Sequence, residues 1–194
     1  MRIKIFILLC LTAIMQFIGV TPLKASHYYY KQLSLKDGLT SAVRCILTDK
    51  QGFVWIGTKA GVSRYDGHEL KKYVHSPNNP HSIPNNLIHQ IAEDEMSNIW
   101  ILTDKGIARY QRQSDDFFLP TDEKGNPIIA YSTCLTKDGV LFGSKDKVYF
   151  YSYRDSSLRL LQKLNKGSNF NNSLLSLWNE HTVLCCSRWQ GLAL

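Results

Sequence analysis

The chain has 194 residues, with 23 Lys and Arg against 16 Asp and Glu, a formal charge of +7, and 44% apolar residues. Three of the basic residues (Arg2, Lys4 and Lys24) and none of the acidic ones fall in the first 25, so the rest balances 20 against 16, or +4. Its basic residues are scattered rather than clustered, which excludes the basic stripe that a nucleic-acid binder presents.

Arg2 and Lys4 precede an almost wholly apolar run, Ile5–Val20, and Pro22-Leu23-Lys24-Ala25 follows. A basic start, an apolar stretch and a small residue before a polar continuation predict a secretory signal at residues 1–25, cut after Ala25. The run is short for a bilayer span of about 20 residues, and an uncleaved anchor is the rival reading. Leu9 stands before Cys10 where a lipoprotein signal wants a small residue, which argues against lipidation. The 169 residues that remain suffice for a sizeable core.

His27–Leu35 reads as a strand ending at Asp37-Gly38, and segment 26–38 is placed to close a ring of sheets. Two similar segments follow, 45 residues apart. Val43–Tyr65 is VRCILTDKQGFVWIGTKAGVSRY, and Ile88–Tyr110 is IHQIAEDEMSNIWILTDKGIARY. Eight positions are identical without a gap: Ile46/Ile91, Asp49/Asp94, Trp55/Trp100, Ile56/Ile101, Thr58/Thr103, Gly61/Gly106, Arg64/Arg109 and Tyr65/Tyr110. Short β-type runs with Gly turns at this period predict an all-β chain. Its architecture is a β-propeller of four-stranded blades, with about 3.5–4 blades present and the ring incomplete.

Blade 1 occupies residues 39–74. Its strands are expected at Val43–Thr48, Phe53–Thr58, Val62–Tyr65 and Glu69–Val74. The Asp49–Gly52 turn joins the first two, its Asp capping and its Gly supplying positive φ. Asp66-Gly67 is a further turn signal. His75–Asn86, with three prolines and four asparagines, is the longest loop. Blade 2 (83–119) repeats the layout, with Ser97-Asn98 replacing Gly52-Phe53 and Asn98 expected to tolerate the left-handed region. Blade 3 (128–165) is degenerate: Lys137-Asp138-Gly139 is its turn, and Leu141 stands at the Trp position. Its outer strands are expected at Val148–Tyr153 and Leu158–Leu164, and Lys166–Asn172 reads as polar loop. Blade 4 (174–194) has Val183–Ser187 at the position of VWIGT, and Cys185-Cys186 in place of Ile-Gly. The end at Leu194 falls within a strand-like run, so a fragment of a longer chain is expected.

A blade sandwiched between neighbours buries both faces of its inner strands, which explains why Val54-Trp55-Ile56 is apolar at successive positions. Trp55 and Trp100 are expected to wedge between blades, and Gly57 to mark close approach of a neighbouring backbone. Cys45, Cys134, Cys185 and Cys186 show no regular framework and read as buried free thiols.

The pattern D-x-x-G-x-x-W-I-G-T-x-x-G-V-x-R-Y, held by Asp49, Gly52, Trp55, Gly57, Thr58, Gly61, Arg64 and Tyr65, resembles the two-component regulator propeller repeat. Asp94, Trp100, Thr103, Gly106, Arg109 and Tyr110 carry it in blade 2. That blade lacks the turn Gly and has Leu102 for the second Gly. The order of signal, aromatic strand, Asp-Gly-Leu and first blade is similar to the start of the periplasmic sensor of a hybrid two-component system. The resemblance implies a periplasmic sensor of glycan-derived oligosaccharides. It also implies a homodimer formed through the sensor region and a later transmembrane helix leading to a histidine kinase, a receiver and often a DNA-binding domain, in a phosphorelay. No kinase or hydrolase machinery is legible here, so this chain is expected not to be an enzyme and to need no cofactor. The membrane would be met only through that later helix.

Two alternatives stay open: an exported propeller enzyme acting on glycans, sialidase-like, and a structural propeller used for assembly. The first would need an arginine cluster and a Tyr nucleophile supported by a carboxylate. Arg64 and Arg109 recur at strand ends and read as structural, as do Asp49 and Asp94, since a catalytic group has no reason to recur once per blade. Glu93-Asp94-Glu95 and Asp115-Asp116 read as solvated turns. His75, His81 and His89 lack a metal-ligand spacing, and the first two are expected in a mobile loop. Tyr28-Tyr29-Tyr30, Tyr131 and Tyr149–Tyr153 could stack on sugar rings, though alternating aromatics more often pack blades. No catalytic residue, metal ligand or ligand-contacting residue is assigned.

Overall fold

The computed structural model describes residues 32–34, 38–39, 41–145, 147–163, 174–179, 182–187 and 191–193. The expected signal segment 1–25, Tyr28-Tyr29-Tyr30 and the expected loop at 166–172 lie outside the described residues. So does most of segment 26–38, expected to close the ring, and its part at 32–34 carries no strand. The chain divides into two compact units, Met1–Gln32 and Leu33–Leu194, and every sheet belongs to the second.

Among the described residues each regular element is a strand. The first sheet comprises β1 (Val43–Thr48), β2 (Val54–Thr58), β3 (Gly61–Tyr65) and β4 (Leu70–Tyr73). The second comprises β5 (Ile88–Glu93), β6 (Ile99–Thr103), β7 (Gly106–Gln111) and β8 (Asp116–Phe118). The third comprises β9 (Ser132–Leu135), β10 (Gly139–Gly143), β11 (Lys147–Ser152) and β12 (Leu158–Lys163). Three strands follow: β13 (Leu174–Asn179), β14 (Thr182–Ser187) and β15 (Gly191–Ala193). Within each sheet the strands neighbour one another in chain order and pair antiparallel, which is the meander of a propeller blade. Strand ends differ from the expected ones by about a residue, because the turn residues Phe53, Glu69 and Val74 stay outside the ladders.

Register explains the repeat. Trp55 pairs with Arg64 across β2 and β3, and Trp100 with Arg109 across β6 and β7. β6 is buried along its whole length, and its two faces serve two different cores. Ile99 and Ile101 point to a cluster with Trp55, Val62, Tyr73 and Tyr110. Trp100 and Leu102 point to a second cluster with Val140, Phe142 and Tyr151 of the third sheet. Leu141, at the Trp position of β10, faces a third with Cys134, Val148 and Leu175 of β13. The hydrophobic core is therefore a series of seams between successive sheets. Each seam is filled by the Trp, or its substitute, of the earlier sheet.

Candidate functional site

Two side-chain systems hold each of the first two seams. In the first, Asp49 sits at the β1–β2 turn with its side chain fully enclosed. Its Oδ1 accepts from the Gln51 amide at 3.0 Å and the Phe53 amide at 2.9 Å, and its Oδ2 accepts from Trp55 Nε1 at 2.9 Å. Asp94 repeats this with the Asn98 amide at 2.8 Å and Trp100 Nε1 at 2.7 Å. One carboxylate thus caps the turn and aims the indole into the seam. Burial opposes ionisation of Asp49. The donors Trp55, Phe53 and Arg112 outweigh it and hold the carboxyl below its ordinary pKa.

In the second system a guanidinium reaches forward to the next sheet. Arg64 donates to the Tyr110 hydroxyl, and Arg109 donates to the Tyr151 hydroxyl at 2.5 Å. Arg64 also covers the Phe53 ring at 4.8 Å, and Arg109 the Phe118 ring at 5.1 Å. Both arginines are engaged in sheet-to-sheet contacts.

The remaining motif residues shape hairpins. Thr58 Oγ1 donates to the Gly61 carbonyl at 2.9 Å, and Thr103 Oγ1 to that of Gly106 at 2.8 Å. Gly61 has φ of 111°, and a Cβ there would lie 2.6 Å from the Tyr73 carbonyl oxygen. Gly52 supplies positive φ at 89°; in the second sheet Ser97 does so at 61°. The expectation that Asn98 would take the left-handed conformation is corrected: Ser97 aligns with Gly52, while Asn98 uses its amide on Asp94 at 2.9 Å. Gly57 also differs from expectation. A Cβ there would strike side chains, Cys45 Sγ at 2.4 Å and Ile88 Cγ2 at 2.7 Å, rather than backbone. Tyr65 donates to the Gly67 carbonyl at 2.5 Å, closing the β3–β4 turn.

The carboxylate runs are solvated only in part: Glu95 is exposed, but the others are engaged. Glu93 accepts from the Lys50 amide at 2.8 Å, and Asp94 is buried. Asp115, at φ of 56°, accepts from Arg64 at 3.3 Å, Tyr73 at 2.6 Å, Tyr110 at 2.5 Å, and Lys71. Its burial works against ionisation, but Lys71, Tyr110 and Tyr73 prevail and bring its pKa down to about 2. Burial and the Asp115 carboxylate push the Tyr73 and Tyr110 hydroxyls up. Arg112, a residue with no signal in the repeat, reaches back from the β7–β8 turn. It donates to Gln51 Oε1 at 2.8 Å, Asp49 Oδ2 at 3.1 Å and the Ser97 carbonyl at 3.2 Å, and lies 3.6 Å from Glu93.

Each of the three histidines has its own partner. His75 Nδ1 meets the Ile83 carbonyl at 2.9 Å, His81 lies 3.7 Å from Asp116, and His89 contacts Asp104 at 2.5 Å. They do not converge. The 75–86 loop is tied down by Ser82 and Asn86 side chains and inserts a fully buried Ile83 into the first seam. Tyr149 and Tyr151 are packed in the second seam, and Tyr131 lies against His89 at 5.7 Å. Cys45 is half-buried and Cys134 buried, both free, and burial raises both thiols.

A cleft of about 590 Å³ opens where these turns meet, between Gln51, the Met96-Ser97-Asn98 turn and the Gln111–Ser114 hairpin. Its walls are mostly neutral amides and hydroxyls beside the guanidinium groups of Arg109 and Arg112, which makes a hydrogen-bonding surface.

The family model described as two component regulator propeller matches residues 37–60, which contain the Asp49–Trp55 unit. The fold is that of a β-propeller segment, and its residues 37–60 are similar to the two-component regulator propeller repeat. The chain is 39% identical over 59 residues to Histidine kinase P4 of Formosa agariphila, a match spanning 30% of this chain and 4% of that protein. The extracellular domain of the hybrid two component system BT4673 from B. thetaiotaomicron superposes with a TM-score of 0.60 at 22% identity. That alignment covers 78% of this chain and 20% of that one. Virginiamycin B lyase from Staphylococcus aureus superposes at 0.54 and 15% identity, over 75% of this chain and 49% of that one. A lyase and the extracellular domain of a two component system thus share the architecture, so the fold alone does not assign chemistry.

Proposed function

We propose that this chain is part of the ligand-sensing propeller of a hybrid two-component sensor histidine kinase. It is exported by its N-terminal segment and works in the periplasm, in a parent protein anchored in the inner membrane. The four successive sheets are read as blades 39–74, 83–119, 128–165 and 174–194. The ligand is a glycan-derived oligosaccharide, bound and released unchanged, and the signal passes through a homodimer contact of the sensor region. The observation that carries this reading is the coincidence of the regulator-propeller match with the first sheet's Asp–Trp unit. The amide-lined cleft supports it, since exposed Gln113 offers a paired donor and acceptor suited to sugar hydroxyls, and Gln51 and Gln111, whose amides bond Arg112 and Asp116 on one side, keep a donor and an acceptor respectively.

Calorimetric titration of the full chain against defined oligosaccharides, with chromatography of the recovered sugars, tests it. Saturable binding with intact sugar is expected, weakened by Gln113→Ala, a substitution of an exposed cleft residue. Recovery of cleaved sugar would move the reading to an exported glycan-acting enzyme. Absence of binding across the panel would leave a structural propeller.

A further inference from the structure

At the opposite end of the third sheet lies a second cleft of about 360 Å³, between the 122–126 turn and the start of β11. Three lysines line it: Lys124, Lys147 and Lys163. Lys147 and Lys163 face each other directly in the β11–β12 register. Like charges opposed across an antiparallel pair are destabilising, so a fold gains nothing from this placement unless something neutralises it. Among the described residues none of the three ammonium groups has a hydrogen-bonded or ion-paired carboxylate. Asp122, in the same cleft, spends its carboxylate on its own turn, accepting from the Lys124 amide at 2.9 Å and the Asn126 amide at 2.8 Å. Glu123 is the other acid there and is exposed.

The pattern of the repeat sharpens the point. Counting from the Trp position of each sheet (Trp55, Trp100 and Leu141), Lys147 falls where the first two sheets have Gly61 and Gly106. Lys163 stands on a six-residue outer strand where the second sheet has only three residues. Residues that recur build blades; this lysine pair is a departure confined to one of them. Beside the lysines, Leu160 is 40% exposed, and an edge of Tyr149, otherwise packed in the second seam, lines the cleft.

We propose that this cleft binds a small ligand carrying a compact oxyanion group next to an apolar ring face. The ammonium groups of Lys147, Lys163 and Lys124 would take the anion, with Leu160 and Tyr149 under the ring. The site lies apart from the amide-lined cleft and does not depend on the sensor reading.

The probes are glucose 6-sulfate, glucose 6-phosphate, inorganic sulfate and unsubstituted glucose, titrated calorimetrically into the full chain at low salt. At least one substituted sugar is expected to bind about tenfold or more tighter than glucose and than free sulfate, which distinguishes a sugar-borne group from the bare ion; which of the two substituted sugars binds tighter tells sulfate from phosphate. The double variant Lys147→Gln/Lys163→Gln is expected to lose about tenfold or more, while Lys72→Gln on the first sheet leaves binding unchanged. Should the double variant fail to fold, lysine acetylation of the unmodified chain with and without the best probe decides, and selective protection of Lys124, Lys147 and Lys163 is expected. Equal affinity for charged and neutral sugars, unchanged binding in a folded double variant, or uniform acetylation would each overturn the proposal.

Discussion

Replacing Trp55 by alanine removes the largest side chain of the first seam from a site with no solvent exposure. The ring stacks on Tyr73 with centroids 6.0 Å apart and meets Tyr110 edge-on at 4.8 Å. Those contacts join β2 and β4 of one sheet to β7 of the next. Truncating a buried Trp to Ala costs about 3–5 kcal/mol. In a chain of this size that lowers the melting temperature by roughly 6–20 °C, at about 2–4 °C per kcal/mol. Trp55→Phe separates packing from hydrogen bonding. It keeps much of the ring but strips Asp49 Oδ2 of the Nε1 donor, leaving Arg112 as its remaining partner, for a cost of about 1–3 kcal/mol. Urea unfolding followed by far-UV circular dichroism reads both. A thermodynamic cycle with Asp49→Ala then isolates the Asp–Trp term, which should be non-additive because the two side chains touch. A Trp55→Ala variant melting within about 2 °C of the parent would refute the seam as the source of stability.

Arg112→Ala removes the cation that serves Asp49, Gln51 and Ser97 and stands beside the nearly enclosed Glu93, and should cost about 1–3 kcal/mol in the same urea assay. Gly61→Ala and Gly67→Ala both force a side chain into positive φ, at 111° and 101°, but only at Gly61 does the added Cβ meet backbone, 2.6 Å from the Tyr73 oxygen. Gly67→Ala should therefore cost about 1 kcal/mol, and Gly61→Ala distinctly more, by calorimetric melting. The folded-state pKa of Asp115 is depressed from an ordinary 3.8 to about 2, so its contribution is fully present above the ordinary value and is lost as pH falls through about 2. Asp115→Asn should thus melt below the parent at neutral pH, with the gap closing as both are acidified through that window.

The period of the repeat made the blades legible, because residues recurring at one spacing can only be explained by recurring surroundings. Asp49 was readable as a turn cap, and Trp55 as a wedge. That the same carboxylate serves both the turn and the indole is a three-dimensional fact which a six-residue spacing does not announce. Gly57 was readable as a close approach, but a sequence does not say whether backbone or side chain arrives, and Cys45 and Ile88 do. Asp115 and Arg112 were illegible for a different reason. Both lie in the β7–β8 turn, outside the repeated segment, and their partners on the first sheet are more than 40 residues away. Composition suggested solvated charges there; the turn instead folds back over the seam, where four donors meet one carboxylate.

The repeat also sorts residues by what they can be doing. A side chain found at the same place in two sheets is explained by what those places share, which is a neighbour to be gripped: Asp49 and Asp94 aim indoles, and Arg64 and Arg109 hold the next sheet's tyrosines. Ligand recognition has the opposite requirement, since a small molecule touches a limited patch of the ring and gains from residues that differ between blades. Beside the recurring Arg109 and Tyr110, the amide-lined cleft draws on positions that do not match across the repeat: Gln51 aligns with Met96, and Gln111–Ser114 has Asp66 and Gly67 opposite its first two residues. The opposed lysines of the third sheet are the strongest such departure, because they replace a conformationally special glycine with a charge that its own sheet leaves unpaired. Variants in the recurring set should therefore move unfolding midpoints at any ligand concentration, whereas a variant at exposed Gln113 should move binding with stability nearly unchanged.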